Sequence, residues 1–213
     1  MNLIRKPFRY VNYNVVFWLI GINVLIFAAS VFLGPRERYY LVTRLSMIPN
    51  AVIQLKWYWT FITYMFMHSG VTHILFNMLG LFIFGLHVER QMGSKEFLLY
   101  YFVTGALAGV FSFIVYYYSG TPQVALMGAS GALFAVMLAY AVFFPNSIIY
   151  IWGILPLRAP IMVLGYTALE LFFSIRGSRG NTAHLTHLAG FAFGWIYFML
   201  RFGINPLKRL LGR

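Results

Sequence analysis

Gly128-Ala129-Ser130-Gly131 stands at the head of one apolar segment, and His187 stands near the head of another, 57 positions further on. In hydrocarbon a hydroxyl or an imidazole without a partner is costly, so polar groups at bilayer depth pair with one another. A serine paired with a histidine is a nucleophile with its base. The pair points to hydrolysis inside a membrane, with Ser130 as the candidate nucleophile. His184 and His187 are three apart and share a helix face, so either can serve as the base. His187 is the deeper of the two and directly precedes Gly190-Phe191-Ala192-Phe193-Gly194, which makes it the better candidate and leaves His184 at the water boundary.

A second constellation lies upstream. In His73-Ile74-Leu75-Phe76-Asn77 the imidazole and the amide are four apart, one above the other on a helix face. Alone they read as links between helices; beside a nucleophile they are fixed donors for an oxyanion. His68 is expected at the interface, and His87, at the far end of the same segment, reads as structural. The chain has no aspartate, and its glutamates are Glu37, Glu89, Glu96 and Glu170. Glu89 beside Arg90 reads as a cap or ion pair. Glu170, an acid within an apolar segment, is a functional candidate by default. It has no basic partner nearby in sequence, so the expectation is a hydrogen-bonded structural carboxyl near the outer end. Four histidines lie near one end of their segments, yet no HExxH is present and no Asp can complete a site, so neither a metal nor another cofactor is expected.

The small residues around Ser130 admit a plainer reading. Gly128, Ala129, Gly131, Ala132 and Ala135 make a packing face of the kind membrane helices use for close approach, and taken alone that is the better reading. Gly190 and Gly194 make a GxxxG face of the same sort. If the two faces pack together, Ser130 and His187 meet near one end of both helices, and the packing serves the chemistry.

The elements that must position these residues follow from composition. Of 213 residues 61% are hydrophobic and 9% charged, with a mean hydropathy of +0.77, against roughly 25% charged in soluble domains. This is the composition of an all-α, multi-pass membrane protein. Six spans are expected: Val15–Leu33, His73–Val88, Phe97–Tyr117 with Ser94 as N-cap, Ser130–Phe144, Ala159–Ile175 and His184–Phe202. Residues 1–14 then form a cytoplasmic segment, 15–202 the membrane domain and 203–213 a basic cytoplasmic tail. The connection from Gly34 to about Thr72 is amphipathic and aromatic, as interfacial helices are. Ser147–Leu155, set off by Pro156 and Pro160, is expected as an interfacial strand or turn.

The net charge of +12 is spread over the ends of the spans, not gathered in one patch. It reads as topology signals and anionic-lipid contacts rather than a nucleic-acid surface. With the N-terminus inside, ten Lys/Arg fall inside and six outside, which favours cytoplasmic termini and an outward-facing site, as in a bacterial inner (cell) membrane. The fourth span is short: its fifteen residues rise roughly 22 Å against a hydrocarbon core of about 30 Å. If its lower end reaches the inner boundary, Ser130 lies roughly 8 Å below the outer one. Water then reaches the serine from outside.

On these motifs the chain resembles the rhomboid intramembrane serine proteases, from about Trp57 to Gly194. Gly128-Ala129-Ser130-Gly131 is similar to the family's GxSG, and His187-Leu188-Ala189-Gly190 with Gly194 is similar to its HxxGxxxG. His73 through Met78 resembles the family's second-span segment. Glu89 through Ser94 resembles the turn that follows. The resemblance implies a six-helix bundle with a short central fourth helix, Ser130 as nucleophile and His187 as general base. It also implies an oxyanion hole from the Ser130 N–H, His73 and Asn77, and a histidine that no aspartate orients. Two positions depart from the family pattern: Thr60 follows Trp59 where arginine is common, which bears on how the first connection is anchored. Thr186 precedes the base where alanine is common, and its hydroxyl is expected near the imidazole.

The expected activity is endopeptidase cleavage in or next to transmembrane segments of other proteins. A relative that only binds such segments is the alternative, though binding does not need a nucleophile. The substrate must unwind locally and arrive sideways from lipid, because a helix hides its carbonyls. Phe172 and Phe173, near the outer end of the fifth span, and the loop Ile175–Ala183 are the expected gate, with the second span as the other gatepost.

Overall fold

In the computed structural model the described residues are 7–151, 153–176 and 181–212, with side chains of 181–183 set aside. Within them the chain runs α1 (Val15–Phe32), α2 (Pro35–Leu45), α3 (Pro49–Leu55), α4 (Thr60–Thr63), α5 (Val71–Gly80), α6 (Leu86–Met92) and α7 (Ser94–Tyr118). A π-helical turn, Leu81–Gly85, joins α5 to α6, so Val71–Met92 is one continuous helix. Then follow α8 (Ser130–Phe143), strands β1 (Ile148–Ile151) and β2 (Leu155–Arg158), α9 (Ala159–Ile175), α10 (Asn181–Tyr197) and α11 (Pro206–Leu210).

Val15–Phe32, Val71–Met92 and Ser94–Tyr118 are long and apolar enough to cross a membrane, and α8 and α9 are shorter apolar helices. Several of their polar side chains bond the backbone one turn back. Asn23 Nδ2 donates to the Leu19 carbonyl, and Thr104 and Ser112 hydroxyls donate to carbonyls four residues back, which removes the cost of bare donors in hydrocarbon. Among the described residues the one sheet is the antiparallel hairpin β1–β2, Ile148 facing Arg158 and Ile151 facing Leu155. It falls in the segment set off by Pro156 and Pro160 and is the departure from an all-helical chain.

α8 is buried without interruption from Gly131 to Val142. It packs against α7, α9, α10 and the Val71–Met92 helix. Its small side chains allow this: Ala132, Ala135, Ala139 and Ala141 are fully buried, and Tyr100 of α7 donates its hydroxyl to the Ala135 carbonyl at 2.6 Å. α9 is held differently. Its buried residues are Ala159, Pro160, Met162 and Val163, all in its first turns. Leu164, Tyr166, Leu169, Leu171 and Phe172 are exposed, an apolar face suited to lipid.

The connection between α1 and α5 is an anchored platform. Thr63 Oγ1 donates to the Leu45 carbonyl at 2.8 Å and Trp59 Nε1 to the Arg44 carbonyl at 2.9 Å, so Trp59 anchors this connection although Thr60 follows it. Met47 and Leu126 form a bridge, and the Gly128 N–H donates to the Tyr64 carbonyl at 3.0 Å. The loop that carries Ser130 is thereby fastened to the platform.

Two buried carboxylates fix the opposite end. Glu89 Oε1 and Oε2 accept the N–H groups of Val15 and Val16 at 2.7 and 3.0 Å, and Oε1 also accepts the Ser94 hydroxyl at 2.5 Å. It thus caps α1 from 74 residues away, in answer to unsatisfied first-turn donors. Ser94 is not the N-cap of α7 as expected. That position is Gly93, at φ +84°, and the Ser94 hydroxyl also accepts from the Tyr13 N–H at 2.7 Å. Glu96, likewise buried, takes two bonds from Arg201 at 2.8 and 2.9 Å and one from Tyr197 at 2.5 Å.

Removing the Glu89 carboxylate strands two buried amides and a hydroxyl. Glu89→Ala is expected to lower stability by about 2–4 kcal/mol, read as a fall in Tm of the detergent-solubilised protein.

Candidate active site

Ser130 is the first residue of α8, and the residues before it are bent to expose it. Gly128 sits at φ +112°, a conformation open to glycine and strained for other residues. A Cβ there would stand 2.6 Å from His73 Nε2 and 3.7 Å from Ser130 Oγ, so the imidazole of α5 and the hydroxyl of α8 converge on this glycine. His187 approaches from α10. Its Nε2 is 2.8 Å from Ser130 Oγ, and its ring lies flat on Phe134, centroids 4.6 Å apart and planes 7° apart. Phe134 is one turn below Ser130 on α8. That i+4 spacing was readable in the sequence, and it sets the plane in which the imidazole meets the serine.

The two small-residue faces pack together. A Cβ on Gly190 would overlap the Gly131 carbonyl, and one on Gly194 would stand 3.1 Å from the Ala135 Cα. Glycine at these places brings the α8 and α10 backbones close enough for Ser130 and His187 to touch. Thr186, beside His187, hydrogen-bonds Ser112 Oγ at 2.6 Å, which ties α10 to α7.

His73 is held as a donor. The Ser69 N–H donates weakly to its Nδ1 (3.5 Å), and Ser69 Oγ lies 3.0 Å from the same nitrogen. In the neutral ring the proton then resides on Nε2, the nitrogen aimed at Gly128 and the serine. Asn77, one turn below, is buried and gives one amide hydrogen to the His73 carbonyl at 2.8 Å, keeping a second. His68 is only 4% exposed, its ring 5.0 Å from that of His73, and neither of its nitrogens has a hydrogen-bond partner among the described residues. Burial first, and His73 second, push its pKa down to about 4. It faces a cavity of about 500 Å³ that Arg38, Tyr39, Ser69 and Met127 also line, next to the Ser130 loop. His87 packs against Tyr140 and Phe144, away from this cluster.

Glu170 has the partners that the sequence did not reveal. Its Oε2 lies 2.5 Å from His184 Nδ1 and its Oε1 3.1 Å from His187 Nδ1. The first is a hydrogen bond. The second is in ion-pair range, but the His187 Nδ1 makes no aligned hydrogen bond. The three groups offer donor atoms within 4.8 Å of one another. At 2.5 Å the carboxylate and His184 are nearer than two ligands on one tetrahedral zinc, which stand roughly 3.3 Å apart at its usual bond lengths. His184 is therefore a partner of Glu170 more than a free group at the water boundary.

Phe172 and Phe173 are both exposed, and they differ in company. Arg176 lies 5.2 Å above the Phe172 ring, whereas Phe173 stacks on His184 at 5.6 Å. Residues 177–180 of the expected gate loop lie outside the described residues.

Residues 56–204 match the family model described as Rhomboid domain. The rhomboid protease GlpG of Haemophilus influenzae is 35% identical over 145 residues, which cover 67% of this chain and 71% of that protein. YdcA of Bacillus subtilis is 31% identical over 62% of this chain and 63% of its own length. RHOMBOID-like protein 12, mitochondrial, of Arabidopsis thaliana is 33% identical over 62% of this chain and 43% of its own. The chain thus spans between about two fifths and seven tenths of these relatives.

A side chain at Gly190 must push α10 off α8. Gly190→Ala is expected to cost about 1–3 kcal/mol in stability through overpacking. A crystal structure of the variant should show the Ser130–His187 hydrogen bond lengthened or lost.

Proposed function

The chain belongs to the rhomboid family, and on that premise we propose that it is an intramembrane serine endopeptidase that cleaves transmembrane proteins in or next to their spans. The observation that carries this reading is the 2.8 Å hydrogen bond from Ser130 Oγ to His187 Nε2. The bond joins a hydroxyl at a helix start to an imidazole 57 residues away, beside a second imidazole with a free donor.

His187 takes the Ser130 proton as Oγ attacks the scissile carbonyl. The oxyanion of the tetrahedral intermediate accepts from His73 Nε2–H, the second Asn77 amide hydrogen and the Ser130 N–H. The imidazolium then protonates the leaving amine, and water, activated by the same histidine, frees the acyl group. Phe134, flat against the ring, keeps Nε2 in line with Oγ throughout.

The bundle has six spans in this reading: α1, Val71–Met92, α7, α8, α9 and the helix that starts with α10. The chain enters the membrane after residue 14, leaves it after 202, and keeps both termini in the cytoplasm. α8 is the short central one, its fourteen residues rising roughly 21 Å in a core of about 30 Å. Its serine end is therefore sunk below the outer surface and open to water from that side. The cavity beside Met127 supports such access. Substrate arrives between α9 and the Val71–Met92 helix, whose exposed Val71, Leu75 and Phe76 form the other apolar gatepost.

Ser130→Ala and His187→Ala should each abolish cleavage of a reconstituted model span and labelling by a fluorophosphonate. The double variant should be no worse than either, since the two act as a unit. His73→Ala and Asn77→Ala should each lower kcat by about 10²–10³-fold. Labelling of purified Ser130→Ala at the wild-type rate would sink the assignment and favour a relative that only binds membrane segments.

Access is tested at Phe172, because Phe173 also packs on His184. Phe172→Ala should speed cleavage of an embedded substrate several-fold more than that of a soluble peptide. The chain has no cysteine, so a disulfide engineered between the outer ends of Val71–Met92 and α9 is unambiguous. It should slow the embedded substrate most, and unchanged cleavage would exclude this route.

A further inference from the structure

Glu170 sits on α9 with each oxygen facing a different imidazole of α10. His187 uses Nε2 to accept the Ser130 hydroxyl at 2.8 Å. A neutral imidazole that accepts at one nitrogen carries its hydrogen on the other. That other nitrogen, Nδ1, is the one 3.1 Å from Glu170 Oε1. We propose that Glu170 is a positioning residue that completes a carboxylate–imidazole–hydroxyl chain with His187 and Ser130, and that His184 holds the carboxylate in place by its second oxygen. The inference rests on the serine-protease reading and deepens it.

Three features of the geometry support it. The carboxylate is only 12% exposed and the His187 side chain 20%, so their interaction is little screened. His184 Nδ1 binds Oε2 at 2.5 Å, which turns Oε1 toward His187 and keeps it there. Phe173 in turn stacks on His184. The Glu170–His187 contact is long and out of line in the resting geometry, as catalytic hydrogen bonds often are before substrate binds. When Ser130 gives up its proton the ring becomes a cation, and a carboxylate beside Nδ1–H is then placed to stabilise it and to hold the tautomer and orientation of the ring.

Among the described residues the groups around His187 are few. α9 presents Glu170, and α10 itself presents His184. α8 presents Ser130 and the uncharged face of Phe134, and α5 presents His73 from beyond the serine. α7 meets this part of α10 through Ser112 and Thr186. Of these, Glu170 is the anion. Its removal should make the ring harder to protonate, so the base should stay neutral to lower pH while losing drive in the transition state.

The test compares wild type, Glu170→Gln and Glu170→Asp in proteoliposomes, with Ser130→Ala as the blank. Glu170→Gln keeps the size and the link to His184. It should lower kcat by roughly 10–100-fold, leave KM within about twofold, and move the acid limb of the kcat–pH profile to lower pH. Glu170→Asp should recover part of the rate and of the limb. A fall in rate with the limb unmoved would mean a structural role, and an unchanged rate and limb would equally overturn the proposal. Loss of wild-type activity on chelation, restored by Zn²⁺ alone, would make the trio a metal site and overturn it as well. A second measurement needs no turnover. The ¹⁵N ring signals of His187 in detergent should report hydrogen on Nδ1 in wild type and a lowered titration midpoint in Glu170→Gln. If wild type lacks Ser130-dependent hydrolysis but the ring responds in this way, the protease reading fails and the pairing stands. If hydrolysis is present and the ring does not respond, only the pairing fails.

Discussion

At Gly190 the α10 backbone lies so close to the Gly131 carbonyl of α8 that no side chain fits between them. One turn further on, Gly194 meets Ala135, whose carbonyl is taken by Tyr100 of α7. The three helices are locked at a separation that only small residues permit, and interiors packed to this density deform little. His187, at the position just above Gly190, inherits its distance to Ser130 from that lock. The platform fixes the other coordinate. It holds Gly128 through the Tyr64 carbonyl and so sets where the chain turns into α8. The hydroxyl, the two imidazoles and the amide thus sit on rigid elements, with little left to loop flexibility.

The bundle places its unsatisfied polarity where that polarity can act. Of the seven buried side-chain atoms without a hydrogen-bond partner among the described residues, four belong to His68, Asn77 and His187. At the opposite end the demanding groups are saturated. Glu89 serves two amides and a hydroxyl, and Glu96 a guanidinium, a phenol and an amide. Unpaired polar atoms cost stability wherever they are buried. Their concentration around one serine is the pattern of a site kept ready for a ligand or reactant.

How much of this the sequence disclosed depends on the range of each interaction. α9 was expected at Ala159–Ile175 and has those bounds, because Arg158-Ala159-Pro160 puts proline in the first turn and the apolar run ends at Arg176. α8 was expected one residue longer, and the last helix begins at Asn181 instead of His184. The residues proposed for the site were named from motif spacing, which is local to each helix. The packing of the two small-residue faces was also legible; what escaped were contacts between helices made by residues outside those motifs. Glu170 showed no partner because no basic residue stands close to it along the chain, whereas its partners are histidines of the next helix, brought alongside by packing. Glu89 was read as a cap or an ion pair with Arg90; it is a cap, but of a helix 74 residues away in sequence. That His68 is buried was likewise not legible, because no local pattern shows it.

α9 differs from its neighbours in being buried only at its first turns. Beyond Val163 much of its surface is apolar and exposed, and Glu170 and Phe173 meet the histidines of α10. The same outer half carries Phe172, Phe173 and Glu170. If substrates enter sideways as proposed, motion of this half away from the bundle, which costs little buried area, is the cheapest way to admit them. Such motion also draws Glu170 away from His187 unless α10 moves with it, and the stack of Phe173 on His184 resists the separation. If Glu170 supports the base, an open α9 leaves the Ser–His pair without its carboxylate, and closure restores it. Admission of a substrate and readiness to cut it would then be two readings of one helix position. Hydrolysis would be favoured only after the span has entered and α9 has closed behind it.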